Sequence, residues 1–199
     1  MIDAVPPVAE ALVGRTELAS RIDGLAAELV DAFEPSTTPP VAVSILKGST
    51  LFLADLTRAM DIPLEIDFMS ITAYAGAQGA SGVVRIVKDL DIDITGRDVL
   101  IVEDIVDTGL TLTYLRRTLG ERGPRSLRTV TLLDKSARRI IPVPVEHRGF
   151  DIPDVFVVGY GMDFQGRYRN VPDILAVRDL ARLSNDPLVF ADTLFSQAG

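Results

Sequence analysis

The sequence of 199 residues contains no cysteine and a single histidine, His147. Without cysteine the chain forms no disulfide, has no thiolate nucleophile and offers no sulfur ligand for zinc, so three kinds of chemistry are excluded. One histidine also excludes a histidine-rich metal cage. Single histidines usually lie at a surface or at the edge of a core, and we expect that of His147 rather than a catalytic role.

Long hydrophobic runs and an excess of positive charge are missing as well. The start, MIDAVPPVAEALVG, has no basic stretch followed by an apolar one, and no segment approaches the roughly 18 apolar residues of a membrane span. We therefore expect a cytoplasmic protein without membrane contact. The formal net charge of −8 opposes nucleic acid in general, so an anionic ligand would have to be held by a local cluster.

The composition is that of one globular enzyme domain. Hydrophobic residues make up 47% of the chain and charged residues 24%, which argues against disorder and against a coiled coil. The length suits one domain with one active site. We therefore expect a single domain over residues 1–199, without internal repeats.

Helical and strand patterns alternate along the middle of the chain. Apolar residues at helical spacing predict helices over residues 16–33, with Thr16 as the N-terminal cap, and over residues 50–60 and 110–119. Short apolar runs predict strands over residues 41–46, 64–71, 83–90, 98–104, 126–133, 155–160 and 174–177. This alternation predicts an α/β fold with a mostly parallel sheet covered by helices.

The segment VLIVEDIVDTGLTL leads from an apolar strand into a helix and carries Glu103, Asp104 and Asp107 in between. Open α/β sheets bind ligands at this carboxyl end of a strand. The small DTGLT residues can hold a phosphate with backbone N–H groups, hydroxyls and the helix dipole. Carboxylates so near a phosphate must face other groups, namely ribose hydroxyls, a divalent cation and a proton to be removed. Together these are the parts of an activated ribose phosphate.

A DTG turn alone could equally contain acidic residues that cap a helix. The longer pattern, with its strand, adjacent acid pair, third acid and small-residue loop, resembles the signature of the type I phosphoribosyltransferases. The resemblance implies that Glu103 and Asp104 hold the ribose hydroxyls, directly or through metal, and that Asp107 is the general base. It also implies that the 5-phosphate is bound by Asp107, Thr108, Gly109, Leu110 and Thr111.

Other segments between about residues 41 and 177 resemble the hypoxanthine-guanine branch of this family. SILKGST resembles the loop that binds pyrophosphate, here through Lys47 and Gly48, with a cis peptide at the lysine. LLDKSARR places Lys135 where the family lysine donates to the exocyclic oxygen of a 6-oxopurine. By itself, LKGS would indicate an ordinary strand-to-helix turn with a surface lysine. An isolated lysine such as Lys135 is likewise more often a solvated surface residue.

The segment FVVGYGMDFQGRYRN resembles the family's late strand and loop. The resemblance implies that Phe156 stacks on the base and that Val157 contacts it through its backbone, although an isolated phenylalanine in an apolar strand is more often a core residue. Asp163 matches a metal-linked acid and Arg169 a pyrophosphate-binding arginine. The implied cofactor is Mg²⁺, with Glu103, Asp104 and Asp163 as its ligands.

The loose segment around Tyr74 resembles the mobile lid that excludes water from the active site in this family. The sequence departs from the family pattern at two places in this segment. Ala73 stands where the family usually has serine, and the tip is rich in glycine and alanine. Phe164 likewise replaces a usual tyrosine after the acid. We expect these changes to affect closed-state hydrogen bonds more than the main chemistry.

The family fold implies a hood subdomain built from the chain ends, next to a core of about residues 35–150. We expect the hood to use parts of residues 1–35 and 150–180. The extension 178–199 could be a helix at a subunit interface or a flexible tail. Family membership would imply a homodimer or homotetramer that acts on 5-phosphoribosyl 1-diphosphate and a 6-oxopurine.

Three other interpretations remain open. The same scaffold could use a pyrimidine, adenine or xanthine, of which xanthine shares the 6-oxo group that Lys135 would select. It could instead sense nucleotides or bind RNA, against which the negative charge and the lack of a dense basic run weigh. The acidic face could also serve solubility only, which predicts no stabilisation by ligands.

Overall fold

The computed structural model describes residues 9–33, 38–74 and 83–195. In chain order, its elements are β1 (Ala9–Val13), α1 (Arg15–Ala32), β2 (Val41–Leu46), α2 (Thr50–Ala59), β3 (Glu65–Tyr74), β4 (Val83–Lys88), β5 (Asp98–Val106), α3 (Leu110–Gly120), β6 (Ser126–Asp134), β7 (His147–Asp151), β8 (Phe156–Val158), β9 (Ile174–Val177), α4 (Leu180–Asn185) and α5 (Ala191–Phe195). A single 3-10 turn, Ser136–Arg138, follows β6.

The main sheet has six strands in the order β4-β3-β2-β5-β6-β7. All neighbouring pairs are parallel except β3 and β4, which form an antiparallel hairpin. The prediction of a mostly parallel sheet is therefore confirmed. The carboxyl ends of β2, β5 and β6 consequently lie together at one edge of the sheet.

Helices cover both faces of this sheet, which explains why its central strands are apolar throughout. On one face, Ala42, Leu100 and Val102 pack in a core with side chains of α1 and α2. On the other face, the alternate positions Val43 and Ile101 pack in a second core with side chains of α3. The central strands are thus held between two hydrophobic layers.

A second, antiparallel sheet in the order β1-β9-β8 joins the two ends of the described chain. It forms the small hood that the sequence resemblance implied. The extension after β9 packs on this hood, because Leu183 of α4 and Phe190 are buried in one cluster with Val158 and Tyr168. Residues 180–195 therefore pack against the protein's own hood.

The predicted cap of the first helix is wrong. Helix α1 begins at Arg15 after Gly14, and no side chain of the preceding residue caps it; Thr16 lies inside its first turn. The backbone N–H of Arg15 instead donates to Asp173 Oδ1 at 2.8 Å. A hydrogen bond from the distant hood thus replaces the local one, and sequence spacing gives no signal for such a partner.

Strands β1 and β7 were not predicted, since both are short and carry a mixed pattern of exposed and buried residues.

Within the parts of the chain that the structure describes, no helix has the length and apolar character needed to cross a membrane.

Candidate active site

A cavity of about 430 Å³ lies where β2, β5 and β6 end, with the segment after β8 on its other side. Its lining consists of Ile45, Leu46, Lys47, Gly48, Glu103, Asp104, Ile105, Asp107, Lys135, Arg138, Phe156, Val157, Met162, Asp163 and Arg169. Each motif that the sequence singles out, apart from the lid, contributes to this lining. A larger cavity of about 580 Å³ lies between α1, α2 and residues 170–172, and none of the predicted site residues lines it.

A second compartment of about 220 Å³ adjoins the first at the start of α3. It is lined by residues 103–109, 111 and 112, so the three acids of the motif border both compartments. Thr108 and Thr111 face this compartment, whereas Leu110 is exposed at the first position of α3. The compartment therefore has the hydroxyls and the helix start that the sequence predicted for phosphate binding.

Burial raises the pKa of both carboxyls of the acid pair, Glu103 and Asp104, near the end of β5. Glu103 is only 6% exposed, and burial together with the neighbouring Asp104 raises the pKa of its carboxyl well above the usual value. Burial raises the pKa of Asp104 to about 6, although the Ile105 N–H and Arg169 act in the opposite direction. A cation or hydroxyl donors facing the two carboxyls would therefore favour their ionised forms.

This burial predicts a stability cost. An unfolded aspartic acid ionises near pH 3.8, whereas Asp104 ionises near pH 6 in the fold, so the folded state holds the extra proton and the free energy of unfolding falls as pH rises through this window. We expect Asp104→Asn to raise the free energy of unfolding at pH 7.5 by about 1 to 3 kcal/mol and to flatten its fall between pH 4 and 6. Urea denaturation at several pH values measures both effects. Exposed Asp61→Asn is the control, and an equal response of the two variants would contradict the prediction.

The loop after β2 is packed tightly against the acid pair. The peptide bond between Leu46 and Lys47 is cis, as the sequence resemblance implied. A Cβ atom on Gly48 would lie 1.5 Å from Asp104 Oδ2. On the other side, a Cβ atom on Gly161 would lie 2.1 Å from the Gly48 carbonyl oxygen, and Gly161 has a φ of +95°. The backbone at Gly48 is therefore held between Asp104 and the segment after β8, and only glycine fits at both positions.

Asp163 and Arg169 come from the segment after β8 and form an ion pair of 2.5 Å. The guanidinium of Arg169 also donates to the Gly161 carbonyl at 2.6 Å. These contacts attach Arg169 to the segment that packs on the loop at Gly48. The pyrophosphate-binding residues implied by the sequence, Lys47, Gly48 and Arg169, thus line one wall of the cavity.

Lys135, which also lines the cavity, follows the last residue of β6 and is 7% exposed. Its backbone N–H donates to the Val106 carbonyl at 2.9 Å, which ties the ends of β5 and β6 together. Phe156 is 36% exposed, and Phe164 meets its ring edge-on, with 5.9 Å between the ring centroids. Phe164 therefore supports the ring of Phe156, a contact that the sequence did not reveal.

Two arginines that sequence reasoning missed follow Lys135 in the same motif. Arg138 Nε lies 3.1 Å from Asp107 Oδ1, and Arg139 donates to the Asp107 backbone carbonyl at 3.1 Å. Arg139 also pairs with the buried carboxylate of Asp134. The SARR sequence directly after Lys135 was the available signal, because residues so close in the chain to a site residue are natural candidates for the same site.

The lid prediction falls mainly outside the described residues. Strand β3 ends at Tyr74, which pairs with Val83 of β4; residues 75–82 and the side chains of Ala73 and Tyr74 are not described. The base of this hairpin is anchored by buried Asp67, which accepts the backbone N–H groups of Asp91 and Ile92 at 2.8 and 3.0 Å. The role of Tyr74 stays a prediction.

His147 lies on β7 and does not line the cavity. Its Nδ1 is 3.5 Å from Glu28 Oε2 on α1. His147 thus sits where a helix packs on the edge strand of the sheet.

The acidic side chains suit a magnesium ion that is bound partly by substrate. Among residues 9–33, 38–74 and 83–195, no group of three His, Cys, Asp or Glu side chains forms a ready metal cage. Glu103, Asp104 and Asp163 therefore do not make one common cluster. Mg²⁺ commonly takes only one or two protein carboxylates, however, and completes its shell with water and substrate phosphates. The buried pair Glu103 and Asp104 fits that mode.

The C-terminal extension contacts the residue next to Arg169. The hydroxyl of Tyr168 donates to the Pro187 carbonyl at 2.6 Å, and its ring meets Phe190 at 5.4 Å between centroids. Tyr168 has a φ of +71°, a conformation that a non-glycine residue holds only when its surroundings enforce it. The extension thus helps to fix the backbone that carries Arg169.

We expect Phe190→Ala to lower the free energy of unfolding by about 2 to 4 kcal/mol and to weaken binding of pyrophosphate, the ligand that the sequence resemblance implies for Arg169. The reason is that the cavity left beside Tyr168 loosens Arg169. Thermal unfolding and titration with pyrophosphate measure the two effects. Leu188→Ala, a substitution of an exposed residue in the same extension, is the control, and an unchanged Tm for Phe190→Ala would contradict the prediction.

The chain is similar to known phosphoribosyltransferases. The family model of the phosphoribosyl transferase domain matches residues 10–165. The hypoxanthine phosphoribosyltransferase of Salmonella typhimurium is 47% identical over 163 residues, covering 82% of this chain and 92% of that protein. The hypoxanthine-guanine phosphoribosyltransferase of Bacillus subtilis is 43% identical over 167 residues, covering 84% and 92%. A crystal structure of a hypoxanthine-guanine phosphoribosyltransferase from Bacillus anthracis superposes with a TM-score of 0.81 at 39% identity, covering 86% of this chain and 99% of that one.

A mostly parallel sheet, a hood from the chain ends and an acidic strand-to-helix loop define an enzyme of the type I phosphoribosyltransferase fold. Within this class, the chain belongs to the hypoxanthine-guanine phosphoribosyltransferase family of purine salvage.

Proposed function

We propose that this enzyme transfers the 5-phosphoribosyl group of 5-phosphoribosyl 1-diphosphate to N9 of hypoxanthine or guanine, giving IMP or GMP and pyrophosphate. The observation that carries the proposal is the convergence of Lys135, Asp107 and Phe156 with the acid pair in one cavity. A cation, a carboxylate and an aromatic face are the groups that a 6-oxopurine requires. We place the reaction in the cytoplasm.

Different parts of the sugar substrate bind in the two compartments. The 5-phosphate binds in the smaller compartment, against the backbone of residues 107–111 and the hydroxyls of Thr108 and Thr111. The ribose hydroxyls face Glu103 and Asp104. The diphosphate lies between Lys47, the backbone of Gly48 and Arg169, all on the wall of the larger compartment.

The purine occupies the remainder of the larger compartment. Phe156 stacks on its face, and Val157 contacts its edge through the backbone. Lys135 donates to the 6-oxo group, and Asp107 faces N7. Adenine presents an amino donor at position 6, and leaving a buried donor unmatched costs about 1 to 3 kcal/mol, which corresponds to roughly 5- to 150-fold discrimination.

The reaction proceeds as positive charge develops on the ribose ring and the diphosphate departs. Lys47 and Arg169 neutralise the leaving group, and bound Mg²⁺ supplies further positive charge there. Asp107 accepts the N7 proton as N9 bonds to the ribose carbon. The cavity also orients the two substrates, which removes much of the entropic cost of their encounter.

The test is release of pyrophosphate from labelled 5-phosphoribosyl 1-diphosphate, with hypoxanthine, guanine, xanthine, adenine and uracil offered in turn. We expect turnover with hypoxanthine or guanine and little with adenine or uracil. Preference for xanthine would replace the proposed base, since xanthine also carries a 6-oxo group. A salt-dependent shift in the electrophoretic mobility of RNA, without pyrophosphate release, would instead support an RNA-binding regulator on the same fold.

We further propose a homodimer or homotetramer, as the family resemblance implies. Light scattering coupled to size-exclusion chromatography measures the mass in solution. A mass of 21.5 kDa at assay concentration would contradict this part of the proposal.

A further inference from the structure

Arg138 and Asp154 carry charges that the proposed roles leave unused, and they stand between the two polar contacts of the base. Lys135 Nζ lies 3.9 Å from Asp154 Oδ1. Arg138 lies 3.1 Å from the same oxygen through Nη1 and 3.1 Å from Asp107 Oδ1 through Nε. The charges therefore alternate in sign along a continuous row from Lys135 to Asp107.

Local structure places this row beside the base site. The 3-10 turn after β6 brings residue 138 back toward Lys135, since the Arg138 N–H donates to the Lys135 carbonyl at 2.9 Å. The turn is tied to the end of β7, because Ser136 Oγ donates to Asp151 Oδ1 at 2.8 Å. Arg139 is held by Asp134 and by the Asp107 carbonyl. The backbone on both sides of Arg138 is thus fixed, and its side chain lines the cavity between Asp154 and Asp107.

Arg138 and Asp107 are close enough for an ion pair but are not joined by a hydrogen bond. Asp107 Oδ1 is buried and accepts no hydrogen bond from the described part of the protein, although Arg138 Nε lies only 3.1 Å away. The guanidinium therefore attracts the carboxylate by charge without occupying this oxygen in a hydrogen bond. Since Oδ1 is enclosed while the side chain as a whole is 39% exposed, a proton donor from a ligand would reach the carboxyl group through Oδ2.

These ion pairs contribute little to folding. The side chains of Arg138 and Asp154 are 44% and 58% exposed, and ion pairs in solvent stabilise a fold only slightly. A purine in the cavity would exclude water, and the same charges would then interact more strongly. The row of charges is thus better suited to act on the bound base than on the stability of the empty protein.

We propose that Arg138 and Asp154 are positioning residues, which set Lys135 and Asp107 at the spacing of two neighbouring atoms of a 6-oxopurine, O6 and N7. These atoms share one edge of the base, and they need a donor and an acceptor side by side. The inference rests on the proposed function, because it assumes that Lys135 and Asp107 face the base. It assigns to Arg138 no direct contact with the reacting atoms.

The test compares Arg138→Gln, Arg138→Lys, Asp154→Asn and the double variant Arg138→Gln/Asp154→Asn with the wild-type enzyme. Arg117→Gln is the matched control, since Arg117 is an exposed arginine of α3 outside the cavity. We expect Arg138→Gln to lower kcat/KM for hypoxanthine by about tenfold or more, while KM for 5-phosphoribosyl 1-diphosphate changes by less than about threefold. Arg138→Lys should restore part of the loss, and the double variant should lose less than the product of the two single losses.

The denaturation midpoints of the variants should match that of Arg117→Gln, which separates positioning from a structural role. Arg138→Gln with hypoxanthine kinetics equal to those of Arg117→Gln would overturn the inference, while leaving the proposed function intact. So would equal losses for both substrates together with a lowered midpoint. Failure of the wild-type enzyme to release pyrophosphate with any 6-oxopurine would instead remove the proposed function, and the inference with it.

Discussion

Replacing Asp107 by asparagine should lower kcat by about 100-fold or more, whereas the affinity for 5-phosphoribosyl 1-diphosphate should change by less than about threefold. Asparagine keeps the shape of the side chain but cannot accept the N7 proton. The sugar phosphate contacts are made mainly by neighbouring groups, which the substitution leaves in place. Arg138 would lose one of its two charged partners and keep Asp154, a change that acts at the base end of the site only.

Isothermal titration with 5-phosphoribosyl 1-diphosphate and single-turnover kinetics with hypoxanthine separate the two effects. Asp31→Asn, at an exposed position near the end of α1, controls for the loss of one surface charge. Turnover by Asp107→Asn close to the wild-type rate would refute the role of general base. Parallel loss of sugar phosphate binding and turnover would instead assign Asp107 to the ribose site.

Replacing Gly48 by alanine should lower kcat/KM for 5-phosphoribosyl 1-diphosphate by about 100-fold or more, which corresponds to about 2.7 kcal/mol. The added Cβ would lie 1.5 Å from Asp104 Oδ2, a separation that no side-chain packing permits. Either the loop or the carboxylate has to move, and Gly161 on the opposite side leaves the loop little room. The loop at Gly48 and the Asp104 carboxylate both bind the sugar phosphate substrate. Movement of either one therefore disturbs the binding site of that substrate.

Gly120→Ala is the matched control, because a Cβ atom at the end of α3 meets no heavy atom within 4 Å. Kinetics with varied 5-phosphoribosyl 1-diphosphate, together with circular dichroism of both variants, measure the effect. Normal kinetics for Gly48→Ala would show that the loop adopts another position in solution. Loss of secondary structure would show that the contact serves folding rather than substrate binding.

Much of the site could be predicted from the sequence, because a parallel sheet places the ends of its strands at one edge. Lys47 and Lys135 come just after predicted strands and the acid pair ends one, and the structure places all of them around one cavity. The hood was implied by family resemblance, since its strands are short and β1 has no clear pattern. Family membership followed from motifs whose order and spacing are read directly from the chain.

Contacts between segments far apart in the chain could not be predicted. Asp173 caps α1 across 158 residues, and Gly161 packs on the loop at Gly48. Neither contact leaves a periodic or local signal, because each depends on where the hood comes to lie on the core. The support of Phe156 by Phe164 and of Tyr168 by Phe190 has the same origin.

The sequence by itself determined the class of enzyme, the mostly parallel sheet and the residues of the substrate motifs. It did so because strand and helix periodicity, and the acids and glycines at strand ends, are local properties. Only the tertiary structure decided how these motifs interact, including the raised pKa of Asp104 and the row of charges from Lys135 to Asp107. Burial and interatomic distance exist only after distant segments have packed together, and these two quantities set the electrostatics of the site.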